Sequence, residues 1–316
     1  MTQLTMGAEH PKQTFVVSLL MFNGFLIALM LALAKEGTTD GIPPITYAFW
    51  QTFIAGSILL IFSLHEKICL NKALMTYFLI SGLSGIAIPN AIAFFLVTKI
   101  GAGFTGIMYA LPPIFTFLIS TSLGLEKLKV HKLTGLFIAV LACAWIVLQR
   151  HSEVGEGNVL WYALGIIIPI MLSIGNVYRS LAWPKGIKSM PLAAGTLLAS
   201  AFSLGMFGSL NRIELAATEF SINAQLLLLT QGLLTALTYF CSFELQKRSN
   251  PVFYSQLGAV AAVFGLLIGI IWFNEVYSMQ IWLGVLLVIV GLRMSNRTSF
   301  SLFKLNLNSK DISLKK

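Results

Sequence analysis

The chain has 316 residues, is 57% hydrophobic and only 10% charged, and its mean hydropathy is +0.83. Soluble domains carry about 25% charged residues, so too little polar surface remains to cover a water-soluble globule, and lipid is the natural solvent for most of the chain. The formal net charge of +9 calls for no nucleic-acid partner, because basic residues facing cytoplasm beside anionic lipid account for it.

A bilayer core about 30 Å thick needs ~20 apolar residues of helix to cross it. Ten such segments are predicted in chain order, at 15–34, 44–64, 73–97, 101–123, 133–149, 160–182, 190–208, 223–246, 252–273 and 279–295. The first is not a cleavable signal peptide, since its apolar run is too long and no small-residue cleavage site closes it. The connections are short, so sequence neighbours run antiparallel. With the N-terminus placed inside, sixteen Lys and Arg fall on the inner side and four on the outer side, with Arg179 inside a span. That bias puts both termini in the cytoplasm. The tail, 296–316, is basic with scattered apolar residues ("SFSLFKLNLN"). With no signal or transit peptide in view, a bacterial inner membrane is the simplest location.

A shift of 149 residues lays the sequence partly on itself. Glu126 falls on Glu275, Gly135 on Gly284, Gly56 on Gly205 and Gly37 on Gly186. Residues 1–149 and 150–295 thus read as two five-span units. Five is odd, so the second unit enters the membrane upside down. Inverted repeats of this kind place a substrate near the midplane between the halves.

"GAGFTG" at 101–106 matches the glycine fingerprint of dinucleotide-binding proteins. That fingerprint needs a strand before it and a helix after it. Here membrane helix stands on both sides, so the glycines are expected to serve a tight outer turn, and no nucleotide cofactor is expected. Cys69, Cys143 and Cys241 form no C-x-x-C pair, and the four histidines form no H-E-x-x-H. No metal site is expected either.

The run "IGAGFTGIMYALPPIFTFLISTSLGLEKLKVHKLTGLFIAVLACAWIVL" resembles the EamA-type modules of the drug/metabolite transporter superfamily. So does "SNPVFYSQLGAVAAVFGLLIGIIWFNEVYSMQIWLGVLLVIVGL". The shared pattern is a small-residue turn, a helix with a central Pro, a Glu at its end, then a Gly in the next helix. The resemblance implies a ten-helix carrier with inverted five-helix halves, moving amino acids, other metabolites, nucleotide sugars or drugs, often outward. Two departures stand out. Val260-Ala261-Ala262 replaces Leu111-Pro112-Pro113 in the second half, and Gln51 stands where many members carry an Arg.

Buried polar groups are costly in a membrane, and they either line a cavity or tie helices together. Asn23, Trp50, Gln51, Asn90, Tyr109, Asn176, Tyr239 and Gln256 are the candidate substrate contacts, with Tyr178 and Gln231 close by in sequence. Pro89, Pro112, Pro113 and Pro169 each remove a backbone donor inside a span, and so bend or break a helix. Arg179 and Glu244 lie near inner helix ends, where they either snorkel to water or form an ion pair that closes an inner gate. Glu126 and Glu275 stand at helix ends as structural or gating groups. Ala261, Gly265 and Gly269 recur every fourth residue, a strip suited to close packing, to sliding or to a homodimer face.

No carboxylate or histidine occupies a midplane position, so uniport or exchange is the expected mechanism. A small zwitterionic or amphipathic solute suits such a cavity. The expected partners are that solute and the lipid bilayer, with the chain a monomer or a homodimer. The rivals are an intramembrane enzyme, a channel and a non-transporting scaffold. The two aspartates, Asp40 and Asp311, lie outside the spans, which leaves an enzyme without an acid, a base and a nucleophile in one place.

Overall fold

The computed structural model describes residues 13–39, 41–66, 70–126, 129–151, 159–217, 220–274 and 276–296. Among these the regular structure is helical throughout, with no strand. Lipid offers backbone groups no hydrogen-bond partners, and a helix satisfies them within one segment. The helices are α1 Gln13–Thr39, α2 Pro44–Ser63, α3 Lys72–Gly82, α4 Ile88–Met108, α5 Pro112–Ser122, α6 Val130–His151 and α7 Val159–Gly165. There follow α8 Ile167–Leu181, α9 Ser189–Leu210, α10 Ile222–Arg248, α11 Pro251–Ser255, α12 Leu257–Phe273 and α13 Met279–Asn296. A π-helical turn, Leu83–Ala87, joins α3 to α4. Among the described residues, seven segments are long and apolar enough to cross a bilayer, and Val130–Ala142 and Met279–Gly291 are shorter apolar helices.

The breaks do not fall where the sequence suggested. The GAGFTG stretch is no turn, because it lies inside α4, which continues to Met108. The chain turns instead at Tyr109–Leu111, and α5 begins on Pro112 and Pro113. The first helical turn needs no amide donors from its own residues, so two prolines start a helix at little cost. Pro89 has a comparable role. In an α-helix its missing N–H would have bonded the carbonyl of Gly85, and its ring would crowd that carbonyl. The chain widens there into the π turn, in which the Ile88 N–H reaches Leu83 O. Pro169 follows a break at Ile166. The expected span 252–273 is likewise split at Gln256 into α11 and α12. Asn250 caps α11, its side chain accepting from the Phe253 N–H at 2.7 Å.

Packing relies on small residues. α2 and α9 lie antiparallel. A Cβ on Gly56 would come within 2.9 Å of Leu198, and one on Gly205 within 3.0 Å of Phe49. These two contacts are the same contact with roles exchanged, since 56 and 205, and 49 and 198, each differ by 149. α6 and α13 also pair, and a Cβ on Gly135 would meet Gly291 O at 2.6 Å. α1 packs on α12 and α8 on α5, again at matched positions. Gly24 lies under Val260 and the Ala261 backbone, and Ser173 donates to Pro112 O at 3.0 Å. The match of Gly37 to Gly186 is not of this kind. Gly37 is packed in α1 against Tyr47, whereas Gly186 occupies a turn at φ +78°. Phe22, Ile61, Phe202, Ile271 and other large apolar side chains are exposed around the outside, as a lipid-facing girdle requires.

Candidate functional site

Between these helices lies a cavity of about 100 Å³, room for several water molecules. Its wall draws on α1, the π turn, α4, the Tyr109 turn, α8, α10 and the α11–α12 junction. Along α10 it runs from Gln231 to Ser242, roughly 16 Å at 1.5 Å per residue.

Two glycines set its geometry. A Cβ on Gly175 in α8 would lie 2.9 Å from Gly85 Cα in the π turn, so the two backbones touch. One turn beyond Gly175, Arg179 comes under Gly85, where a Cβ would meet the guanidinium Nη1 at 2.8 Å. Arg179 is therefore buried, at 2% exposure. Its Nη2 donates to Asn176 Oδ1 at 2.9 Å. Its Cζ lies 5.5 Å from the Phe243 ring centre and 5.7 Å from that of Tyr254, within cation–π range. Among the described residues Nε and Nη1 have no hydrogen-bond partner. An Arg costs about 2.5–3.5 kcal/mol at the centre of a membrane helix and marks a functional site by default.

This departs from both sequence readings of the residue. Arg179 neither snorkels to water nor pairs with Glu244. The close contact of α8 with the π turn at Gly175 and Gly85 holds it inward. Glu244 is taken up within its own helix, accepting from Arg248 Nε at 2.9 Å.

Of the eight expected substrate contacts, Asn90, Tyr109, Asn176 and Tyr239 line the cavity. The Tyr109 hydroxyl donates to Asn90 Oδ1 at 3.0 Å. Asn23 and Gln51 are buried between helices instead. Asn23 is hydrogen-bonded to Ser242 at 2.8 Å, tying α1 to α10. Gln231 Nε2 donates to Gln51 Oε1 at 2.9 Å, tying α10 to α2. Trp50 faces away from the cavity, its Nε1 donating to Leu215 O at 2.8 Å in the segment after α9. Gln256 is buried at the α11–α12 turn, and its neighbours Ser255 and Leu257 supply the wall there.

Among the gating candidates, Pro112 reaches the cavity and Pro113 is buried beside it at the start of α5. Glu126 is ion-paired with Lys132 in the first turn of α6, and Lys132 is buried. Glu275 lies outside the described residues. Sequence reasoning missed Thr238, Ser242, Tyr254, Gly85 and Gly258 in the wall. The spacing of Gln231, Thr238 and Ser242 along one face of α10 was a usable signal, because i+7 and i+4 steps share a helix face.

Residues 14–148 match the model of the EamA-like transporter family. The first half of the chain is thus similar to that family. That family is part of the drug/metabolite transporter superfamily. Members of the EamA-like family are transporters of small molecules and not enzymes. The EamA-like match and the apolar helices together make this a multi-pass integral membrane protein. No curated protein matches the sequence. Solved structures do match, and one, described as "Crystal structure of protein", has a TM-score of 0.71 at 17% identity over 91% of this chain and 99% of that one. At that identity the likeness concerns the fold alone.

Proposed function

We propose that this EamA-like protein is a secondary transporter that exports small metabolites, such as amino acids or amphipathic compounds, by alternating access across a bacterial inner membrane. Ten spans form two inverted five-helix halves, 1–149 and 150–295, with both termini and the basic tail 296–316 cytoplasmic. The antiparallel packing of α2 on α9, at positions 149 apart, supports this arrangement. Matched helices meet antiparallel when a two-fold axis perpendicular to them relates the halves. Such an axis lies in the membrane plane, and it gives inward- and outward-open states of similar energy.

The observation that carries the reading is the cavity between the helices, walled by residues from both halves. Asn90, Tyr109, Asn176 and Tyr239 contact the solute. Asn23, Gln51 and Gln256 hold the helices that frame it, and Trp50 fastens the far end of α2. Closure at either end excludes water and presents the solute to one compartment at a time.

The test is counterflow in vesicles reconstituted with the full chain. Unlabelled solute trapped inside should accelerate entry of the same labelled solute. A panel of amino acids and amphipathic metabolites that gives no trans-stimulation would exclude a carrier for those solutes and favour a scaffold.

A further inference from the structure

We infer that Arg179 is an anion-recognition residue for the carboxylate of a small solute with an apolar body; this rests on the carrier reading and narrows its substrate. Three observations support it. Arg179 is fully buried, faces the cavity, and leaves Nε and Nη1 without a partner. Nη2 keeps a second N–H beyond the one that Asn176 takes, so one two-pronged face of the planar guanidinium, Nη2 with Nη1 or Nη2 with Nε, stays open to the two oxygens of a carboxylate. Among the described residues lining the cavity no carboxylate is present, so the positive charge has no built-in counter-ion.

The rest of the wall says what accompanies the anion. Ile27, Leu31, Phe94, Leu172 and Leu257 offer an apolar surface for an aliphatic or aromatic body. One cation balances one negative charge, and a phosphate dianion would leave an uncompensated charge in a buried site. Asn176 holds Nη2 and so fixes the plane of the fork. Gly85 leaves the room that the guanidinium fills. The position matched to Arg179 at a shift of 149 is Met30, which also lines the cavity. Arg179 is the one cation among the described lining residues, and it gives the solute a fixed orientation.

The experiment measures ligand-dependent thermal unfolding of the full chain in nanodiscs. The probes are 4-methylpentanoate, L-leucine and 4-methylpentanamide; 3-phenylpropanoate, L-phenylalanine and 3-phenylpropanamide; and inorganic phosphate. The carboxylates should raise Tm while the amides and phosphate should not. The order of acid and amino acid tells whether an ammonium group is accepted. Arg179→Gln should weaken carboxylate binding by on the order of tenfold or more, with Arg179→Lys, which keeps the charge but loses the fork, in between. If Arg179→Gln does not fold, the wild-type contrast of acid with amide and the Lys variant still decide. Equal shifts from acid and amide, tighter binding of phosphate, no shift from any carboxylate, or undiminished binding by either variant would overturn the inference. Counterflow in sealed vesicles reconstituted from the same protein preparations separates the two claims. Trans-stimulated flux of the amides with no carboxylate preference would sink the inference and leave the carrier standing. Carboxylate binding without flux would do the reverse.

Discussion

The two sides of the cavity occupy matched positions yet carry different chemistry. Met30 is matched to Arg179, Asn90 to Tyr239, and Tyr109 to Gly258; each pair differs by 149 residues, and all six line the hollow. Away from the cavity the matched contacts are alike in kind, as with Gly56 on Leu198 and Gly205 on Phe49. The difference separates two demands. Close helix crossings need small residues wherever the packing recurs, so they recur in both halves. A solute is asymmetric and needs one cation, one amide and one hydroxyl in particular places, so the wall need not repeat.

The sharpest break in that comparison is expected at Gly258. A Cβ there would lie 1.7 Å from the carbonyl oxygen of Tyr109, and a backbone atom cannot swing aside as a side chain can. Gly258→Ala forces the α4–α5 turn and the start of α12 apart, so we expect a loss at or above the usual overpacking range of about 1–3 kcal/mol. Tyr109→Phe, on the matched position, removes only the hydroxyl that bonds Asn90 and is expected to fold. Thermal unfolding in detergent with size-exclusion profiles compares them. A Gly258→Ala protein that melts with the wild type would mean that the two turns do not touch.

The α2–α9 crossing sharpens the comparison with a smaller expected effect. A Cβ on Gly56 would face Leu198 Cγ at 2.9 Å and the Leu198 backbone N at 3.0 Å, while one on Gly205 would face only the edge of the Phe49 ring. Rings can tilt and backbones yield little. Gly56→Ala should therefore lower Tm more than Gly205→Ala, with roughly 1–3 kcal/mol for the first and less for the second. The reverse order would show that the crossing is not built from exchanged contacts.

Much of the scaffold was legible in the sequence. Apolar runs, the basic bias and the 149-residue shift pointed to antiparallel membrane helices, and Gly56 and Gly205 took matched places in the fold. The helix breaks were less legible. Glycine reads as a turn signal, but the glycines at 101, 103 and 106 sit inside α4 while Pro112 and Pro113 start the next helix. In lipid, a helix keeps its glycines because any break exposes backbone groups, and a proline has already lost a donor. The cavity was half legible. Polarity in a span identified Asn90, Tyr109, Asn176 and Tyr239, but it cannot distinguish a wall residue from a tie such as Asn23–Ser242 or Gln51–Gln231. That distinction depends on which helix lies opposite, which no local pattern records. Arg179 was read as snorkelling to water or pairing with Glu244 because its distance from the helix end was counted along the chain, whereas the Gly85–Gly175 contact decides its direction.

The smallest expected effect concerns the two ends of the α2–α9 pair. One end is fastened by an ion pair, Lys188 Nζ donating to Glu66 Oε1 at 2.7 Å. The other is fastened by neutral bonds, Thr46 Oγ1 to Glu214 O at 2.5 Å and Trp50 Nε1 to Leu215 O at 2.8 Å. Leu215 is the position matched to Glu66 at the 149-residue shift, so the same place in each half is held by different chemistry. The hydrogen bond from Lys188 keeps the Glu66 carboxyl below its ordinary value of 4.5, with the Lys188 and His65 charges adding to it. A depressed folded-state pKa stabilises the fold above the unfolded value, and the contribution fades as pH falls through the lowered one. The Glu66 end should thus loosen in acid below about pH 4.5 while the Trp50 end does not. Salt should weaken the first and leave the second unchanged, because the pair is exposed and screened. Hydrogen exchange of 60–66 and 186–192 against 44–50 and 211–216, at neutral and acid pH, reads both ends in one sample. Glu66→Gln should remove the pH response of the first end without touching the second. Equal acid sensitivity at both ends, or a response that survives in Glu66→Gln, would place the titrating group elsewhere.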